Sequence, residues 1–341
     1  MEAAVQELLC DFFHQASVGT ERTDVDQPLE RLADDGQSDS AVCKRDLRRL
    51  LEKDPAGFFQ AACRILKESA DKAGTEPLLE VLWSSSLLLT SLIDPRLLPL
   101  AAATSLARRW VAFDPMVDIK LLQIGFPLGE DDAIAPPDMA QARRALEIVS
   151  ELPPNRHVLL SLAKLLRNLD PYIRSKAALL YARASRNPDW VRKMLAESDA
   201  RVRANAVEGL WDTSSPLAAT LFREAALDPD HRVAANALIG LHRCGEADDV
   251  VTDVLGNMAR SQNPLARAAA AFAIGQIRMP DCVSMLEHLL RDSDAGVRGQ
   301  ALRSLISVRR LDRRETAGEK APAPEADVAA EPVPAPALPA A

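Results

Sequence analysis

Five stretches of the chain share one pattern: DPYIRSKAALLYA from Asp170, DARVRANAVEGLW from Asp199, DHRVAANALIGLH from Asp230, NPLARAAAAFAIG from Asn263 and DAGVRGQALRSLI from Asp294. Their first residues lie 29, 31, 33 and 31 positions apart, and the register holds inside each copy without a gap, which is the signature of an internal repeat. Each copy reads as a helix opening. Asp or Asn at the first position can accept hydrogen bonds from the orphan amides of a first turn, and its charge or dipole suits the positive helix end. Pro171 and Pro264 follow the cap, where a missing N–H costs nothing. Three residues after the cap comes an apolar or small anchor (Ile173, Val202, Val233, Ala266, Val297), four further on always Ala (Ala177, Ala206, Ala237, Ala270, Ala301), and four beyond that a large side chain. These spacings trace one helical face, and a small residue in its middle lets a partner helix approach closely.

Between the openings lie further helical patterns at 155–166, 188–198, 216–227, 246–259 and 280–290. Each unit is therefore two antiparallel helices of about 30 residues stacked on the next, which predicts an all-α protein of α-solenoid type with a period near 31. An upstream copy starts at Asp138, with Ala145 and Val149 in phase but Gln141 at the anchor. Asp54-Pro55 and Asp94-Pro95 look like the starts of more degenerate copies, residues 17–42 read as a polar loop, and 126–137 as an insertion. The expected organisation is an N-terminal helical region over 1–137, a repeat array over 138–314 and a tail over 315–341.

The D-x-x-V-R-x-x-A helix of a two-helix unit resembles the short HEAT-like repeats of phycobilisome-lyase-like proteins, over roughly 138–310. The resemblance implies a right-handed superhelix whose second helices line the concave surface. It also implies that Arg174, Arg203, Arg267 and Arg298, each four residues after a cap, pair with Asp170, Asp199, Asp230 or Asp294 or with carbonyls of an adjacent repeat, rather than forming a basic stripe for phosphate. Ala234 breaks this ladder in the third copy.

Composition agrees with close-packed helices: 56 of 341 residues are Ala, only 4% are aromatic, and Gly is low at 14. The net charge of −8 divides into −10 over 1–154, +6 over 155–314 and −4 over 315–341. The basic share of the repeat block is too modest, between acidic flanks, to favour nucleic acid. In the tail, 16 of 27 residues are Pro or Ala, which predicts an extended, disordered segment. The apolar stretch 77–93 carries Glu80 and three consecutive serines, short of the roughly 20 apolar residues a membrane span needs, and reads as a buried helix. The start, MEAAVQELLCDFF, has no basic region of the kind a secretory signal carries. Five scattered cysteines without a CxxC pair suit reduced thiols in the cytoplasm.

No cofactor is expected, since the chain has no GxGxxG, P-loop, HExxH or calcium-loop pattern. Glu7, Cys10 and His14 share a helical face but lack a third catalytic group. The positions that draw attention lie on the second helices away from the core face. Lys176, Asn205, Asn236 and Gln300 stand three residues after the anchors; Leu179, Ile239 and Phe272 stand six after, and Trp211 and His242 nine after. Amides at consecutive sites can hydrogen-bond an extended backbone, as Asn ladders do in the related armadillo repeats. These residues predict a groove that binds another protein or peptide segment, in a non-catalytic scaffold. The other readings weighed are contacts between repeats, a nucleic-acid-binding solenoid, and a lyase-like or chaperone accessory.

Overall fold

A computed structural model of the chain describes residues 24–34, 40–69, 75–84, 87–127, 138–245, 248–277 and 282–316. The expected N-terminal face of Glu7, Cys10 and His14, the centre of the 126–137 insertion and the tail beyond Thr316 lie outside these residues. Every regular element among the described residues is helical. Contacts divide the chain after Glu246 into two compact units, so the boundary expected at 137 lies inside the first of them.

The first unit runs through α1 (Asp26–Asp34), α2 (Ser40–Lys53), α3 (Pro55–Ser69), α4 (Glu76–Ser84), α5 (Leu87–Ile93), α6 (Leu100–Trp110), α7 (Val117–Gly125), α8 (Met139–Ser150), α9 (Leu159–Leu165, after a 3-10 turn), α10 (Pro171–Ser185), α11 (Pro188–Met194), α12 (Ala200–Glu208), α13 (Pro216–Ala225) and α14 (His231–Arg243). From α9 onward the helices alternate as the repeat predicts, and each first helix packs on its own second helix. The second helices also pack extensively on one another, α10 on α12 and α12 on α14, whereas the first helices α11 and α13 touch lightly.

Local chemistry produces these elements. Asp170 accepts the backbone N–H of Tyr172 at 2.8 Å and of Ile173 at 3.1 Å, Asp199 that of Arg201 at 3.0 Å, and Asp230 that of Arg232 at 2.9 Å. An N-cap of this kind contributes about 1 kcal/mol. Ala177, Ala206 and Ala237 are completely buried, as a close helix crossing requires. Gly209 carries the approach further: a Cβ there would lie 2.4 Å from Ala182 Cβ and 2.6 Å from the Leu179 carbonyl oxygen.

Upstream, the apolar stretch 77–93 contributes two helices, α4 and α5, with Leu78, Leu82, Leu88 and Leu92 in the core. Two expectations fail here. Residues 17–42 contain α1 and the start of α2 rather than a polar loop. Val25 and Leu29, one turn apart, are buried, and Asp26 pairs with Arg64 of α3, so two apolar residues and an ion pair dock a helix whose sequence is otherwise polar. Asp94-Pro95 does not open a helix either. Asp94 instead holds the Arg96 guanidinium at 2.7 Å, and α6 starts at Leu100, after Pro99, which has no N–H to extend a helix upstream. Asp138 does cap α8, accepting the Ala140 N–H at 2.9 Å.

The second unit contains α15 (Asp248–Ala259), α16 (Pro264–Ile277), α17 (Cys282–Leu289) and α18 (Ala295–Thr316). Asn263 and Asp294 cap α16 and α18 through the N–H groups of Leu265 and Val297. The two second helices pack directly on each other, with Ala270 and Ala301 at zero exposure. No helix among the described residues is long and apolar enough to cross a membrane.

Candidate functional site

The arginines four residues after the caps are structural, by a route the sequence reading had only partly. Arg203 Nη1 donates to the carbonyls of Glu197 and Ser198, in the turn that precedes its own helix. Its Nε and Nη2 form a two-pronged pair with Asp228, both at 2.9 Å. Arg267 repeats this on the carbonyls of Ser261 and Gln262 and on Asp292, at 2.7 and 2.8 Å. The carboxylate in each case is two residues before the next cap, where it also accepts that cap's own N–H. The partner is thus Asp228 or Asp292, and Asp230 and Asp294 serve as caps. Burial works to raise the Asp228 carboxyl, but the Arg203 hydrogen bond and the Asp230 N–H outweigh it and hold it below the usual range. Arg174 meets Glu197 rather than Asp at the equivalent place in the sequence; it keeps its two carbonyls, at Asn168 and Leu169, and reaches only Asp199, at 3.5 Å. Arg298 donates to the carbonyls of Asp292 and Ser293.

The second helices of the first unit hold the more adaptable chemistry. Lys176 on α10, Asn205 on α12, Trp211 just beyond α12 and His242 on α14 are all partly exposed. Trp211 Nε1 donates to the Asn236 carbonyl at 2.8 Å, and the Arg243 guanidinium lies over the indole at 4.9 Å. The ring is therefore held at both its edge and its face while part of it stays open. The Asn205 side-chain amide makes no hydrogen bond among the described residues. Glu208 occupies the same repeat position as Leu179 and Ile239 but stays partly exposed, and its residue type had not marked it out. Burial pushes its carboxyl above the ordinary range, opposed by the charges of Lys176 and Arg232 and by a hydrogen bond from Asn236.

Three expected groove residues are withdrawn from the surface. Asn236 is 6% exposed, and its amide donates to the Ala204 carbonyl at 3.0 Å and to Glu208 at 3.3 Å, so it joins repeats and is not free to read a peptide backbone. Ile239 is completely buried, because its position faces neighbouring helices; Leu179 is buried likewise. Phe272 and Gln300 belong to the second unit, both partly exposed, and Gln300 is engaged by Ser304 at 3.3 Å and Arg303 at 2.7 Å.

A cavity of about 20 Å³ lined by Asp118, Leu180 and Arg183 among others has room for one water-sized group and no more. No group of three or more His, Cys, Asp or Glu side chains among the described residues is placed to hold a metal ion.

No curated protein matches the chain. Among solved structures, the chain is similar to human deoxyhypusine hydroxylase in complex with glycerol, at 16% identity over 83% of this chain and 96% of that one, with a TM-score of 0.33. An engineered protein is similar at 15% identity over 90% and 99% of the two chains, with a TM-score of 0.31. The family description that matches by sequence is "HEAT repeats", and it takes in residues 252–319 of the second unit.

Proposed function

We propose that the chain is a non-catalytic scaffold whose first unit binds a segment of another protein along the inner surface of its second helices. HEAT repeats commonly mediate contacts between proteins, and the reading rests on the Trp211 arrangement. An indole fixed by Asn236 and Arg243 but partly open, on a unit whose second helices also carry the partly exposed Lys176, Asn205 and His242, offers an aromatic anchor. Rigid aromatic anchors of this kind dominate binding energy at protein interfaces. Lys176 adds a positive charge on the same set of second helices, which suits a polar, extended segment with one apolar side chain for the ring.

The nucleic-acid reading is weakened by the ladder, since Arg203 and Arg267 spend their charge on Asp228 and Asp292. The test is site-specific photo-crosslinking in the native host, with the reactive residue placed at Asn205 or at Leu217, which is exposed on first helix α13. One protein adduct at 205 and none at 217, lost on W211A substitution, is the expected result. Equal adducts at both positions, or an adduct indifferent to W211A, would refute the inner-surface reading.

A further inference from the structure

The last repeat is open on the side where a following repeat would stack. Leu302 stands eight residues after its cap, as Leu146, Ala178, Val207 and Ala271 do in other copies. Those four are at zero exposure, whereas Leu302 is 49% exposed and Ile306, one turn on, is 43% exposed. The open face also carries an incomplete ion pair. Arg298 keeps the two carbonyl bonds of its ladder position, but among the described residues its Nε and Nη2 have no acceptor. In Arg203 and Arg267 the same atoms grip an aspartate. A carboxylate next to an apolar strip is what this end lacks.

The chain itself carries such a segment. Residues 317–341 contain Glu319, Glu325, Asp327 and Glu331 against Lys320 alone, and they begin where α18 ends. From Thr316 back to Arg298 is 18 helical residues, about 27 Å at 1.5 Å per residue. Glu319 lies three residues past the helix and spans only about 10 Å when extended, whereas Glu325, nine residues past it, spans about 30 Å. The first acid that reaches the open guanidinium is therefore Glu325, with Asp327 just beyond. The run Ala321–Pro324 between would cross Leu302 and Ile306, and a proline-rich chain is already extended, so laying it down costs little conformational entropy.

We propose that residues 317–327 fold back along α18 as a cap, with Glu325 or Asp327 completing the Arg298 pair and Ala321–Pro324 covering Leu302 and Ile306. The experiment is hydrogen–deuterium exchange of the full chain and of the full-length E325Q/D327N variant, read over 299–310 and normalised to 200–208. The variant changes nothing in the repeats. The cap predicts exchange over 299–310 at least threefold slower in the wild type, a difference that survives tenfold dilution and fades in high salt. Equal exchange in the two proteins would overturn it. Slow exchange that is lost on dilution would overturn it as well, because the occupant would then be a second copy of the chain.

Discussion

Arg203→Ala and Arg174→Ala remove the same residue from the same position of neighbouring repeats, yet the structure predicts unequal losses. The Arg203 and Asp228 side chains are 12% and 10% exposed and joined by two hydrogen bonds. Truncating Arg203 strands Asp228 in a dry site, for which the general cost is about 3 to 5 kcal/mol. Because Asp228 keeps the Asp230 N–H, the low end, about 3 kcal/mol, is expected. Arg174 is 28% exposed and its carboxylate contact is long at 3.5 Å, so R174A loses chiefly two carbonyl bonds, about 1 kcal/mol. All four tryptophans, Trp83, Trp110, Trp190 and Trp211, lie in the first unit, and their fluorescence in urea reads that unit alone. With a denaturant slope of about 3 kcal/mol per molar, R203A should lower the midpoint by about 1 M and R174A by about a third of that. Adding D228N to R203A should restore part of the loss, since the stranded charge is gone. Equal midpoints for the two arginine variants, or no rescue by D228N, would refute the argument that the Asp two residues before the cap carries the tie.

Three further outcomes are expected. Arg267 holds the Asp292 carboxyl down, at about 2; a lowered carboxylate gives stability that is complete above the unfolded value near 4 and lost as pH falls toward 2. D292N should therefore flatten the acid limb of the urea midpoint followed by circular dichroism. Glu208 shows the opposite sign, its carboxyl raised by burial, so the wild type loses stability as pH rises through the folded value. E208Q should therefore be more stable than wild type at pH 8 and gain nothing at pH 4 in the same fluorescence assay. Gly209→Val places side-chain atoms where Ala182 and the Leu179 carbonyl already sit, and forcing α10 and α12 apart should cost about 2 to 3 kcal/mol in thermal unfolding; an unchanged midpoint would contradict the close approach.

Much of the array was legible because its determinants are local. A cap, a small residue seven positions later and a large one four beyond that are features of one helix, and Asp170, Ala206 and Leu210 do what that spacing requires. What escaped depends on a neighbour about 25 residues away. Asn205 and Asn236 occupy equivalent positions, yet Asn236 turns inward because the Ala204 carbonyl and Glu208 of the preceding repeat are there to receive it. The aspartate partners were visible in principle as DPD at 228–230 and DSD at 292–294, each following an arginine by 25 residues. That signal exists only when two repeats are read together. Helix α1 was missed for a related reason: its polar sequence becomes a helix by docking Leu29 and Asp26 on a separate element, and no period within it says so.

The same dependence explains why equivalent residues in this chain do different work. An arginine four past the cap is a two-pronged tie at 203 and 267, a looser one at 174 and a half-filled donor at 298. A residue eight past the cap is core at 178, 207 and 271 and surface at 302. The repeat specifies the donor and the apolar spot each time, and the following turn decides whether they are used. Energy in such an array therefore resides in adjacent pairs of repeats more than in single ones. Substitutions at a tie should therefore disturb both of the repeats that share it, and not only the one that carries the arginine.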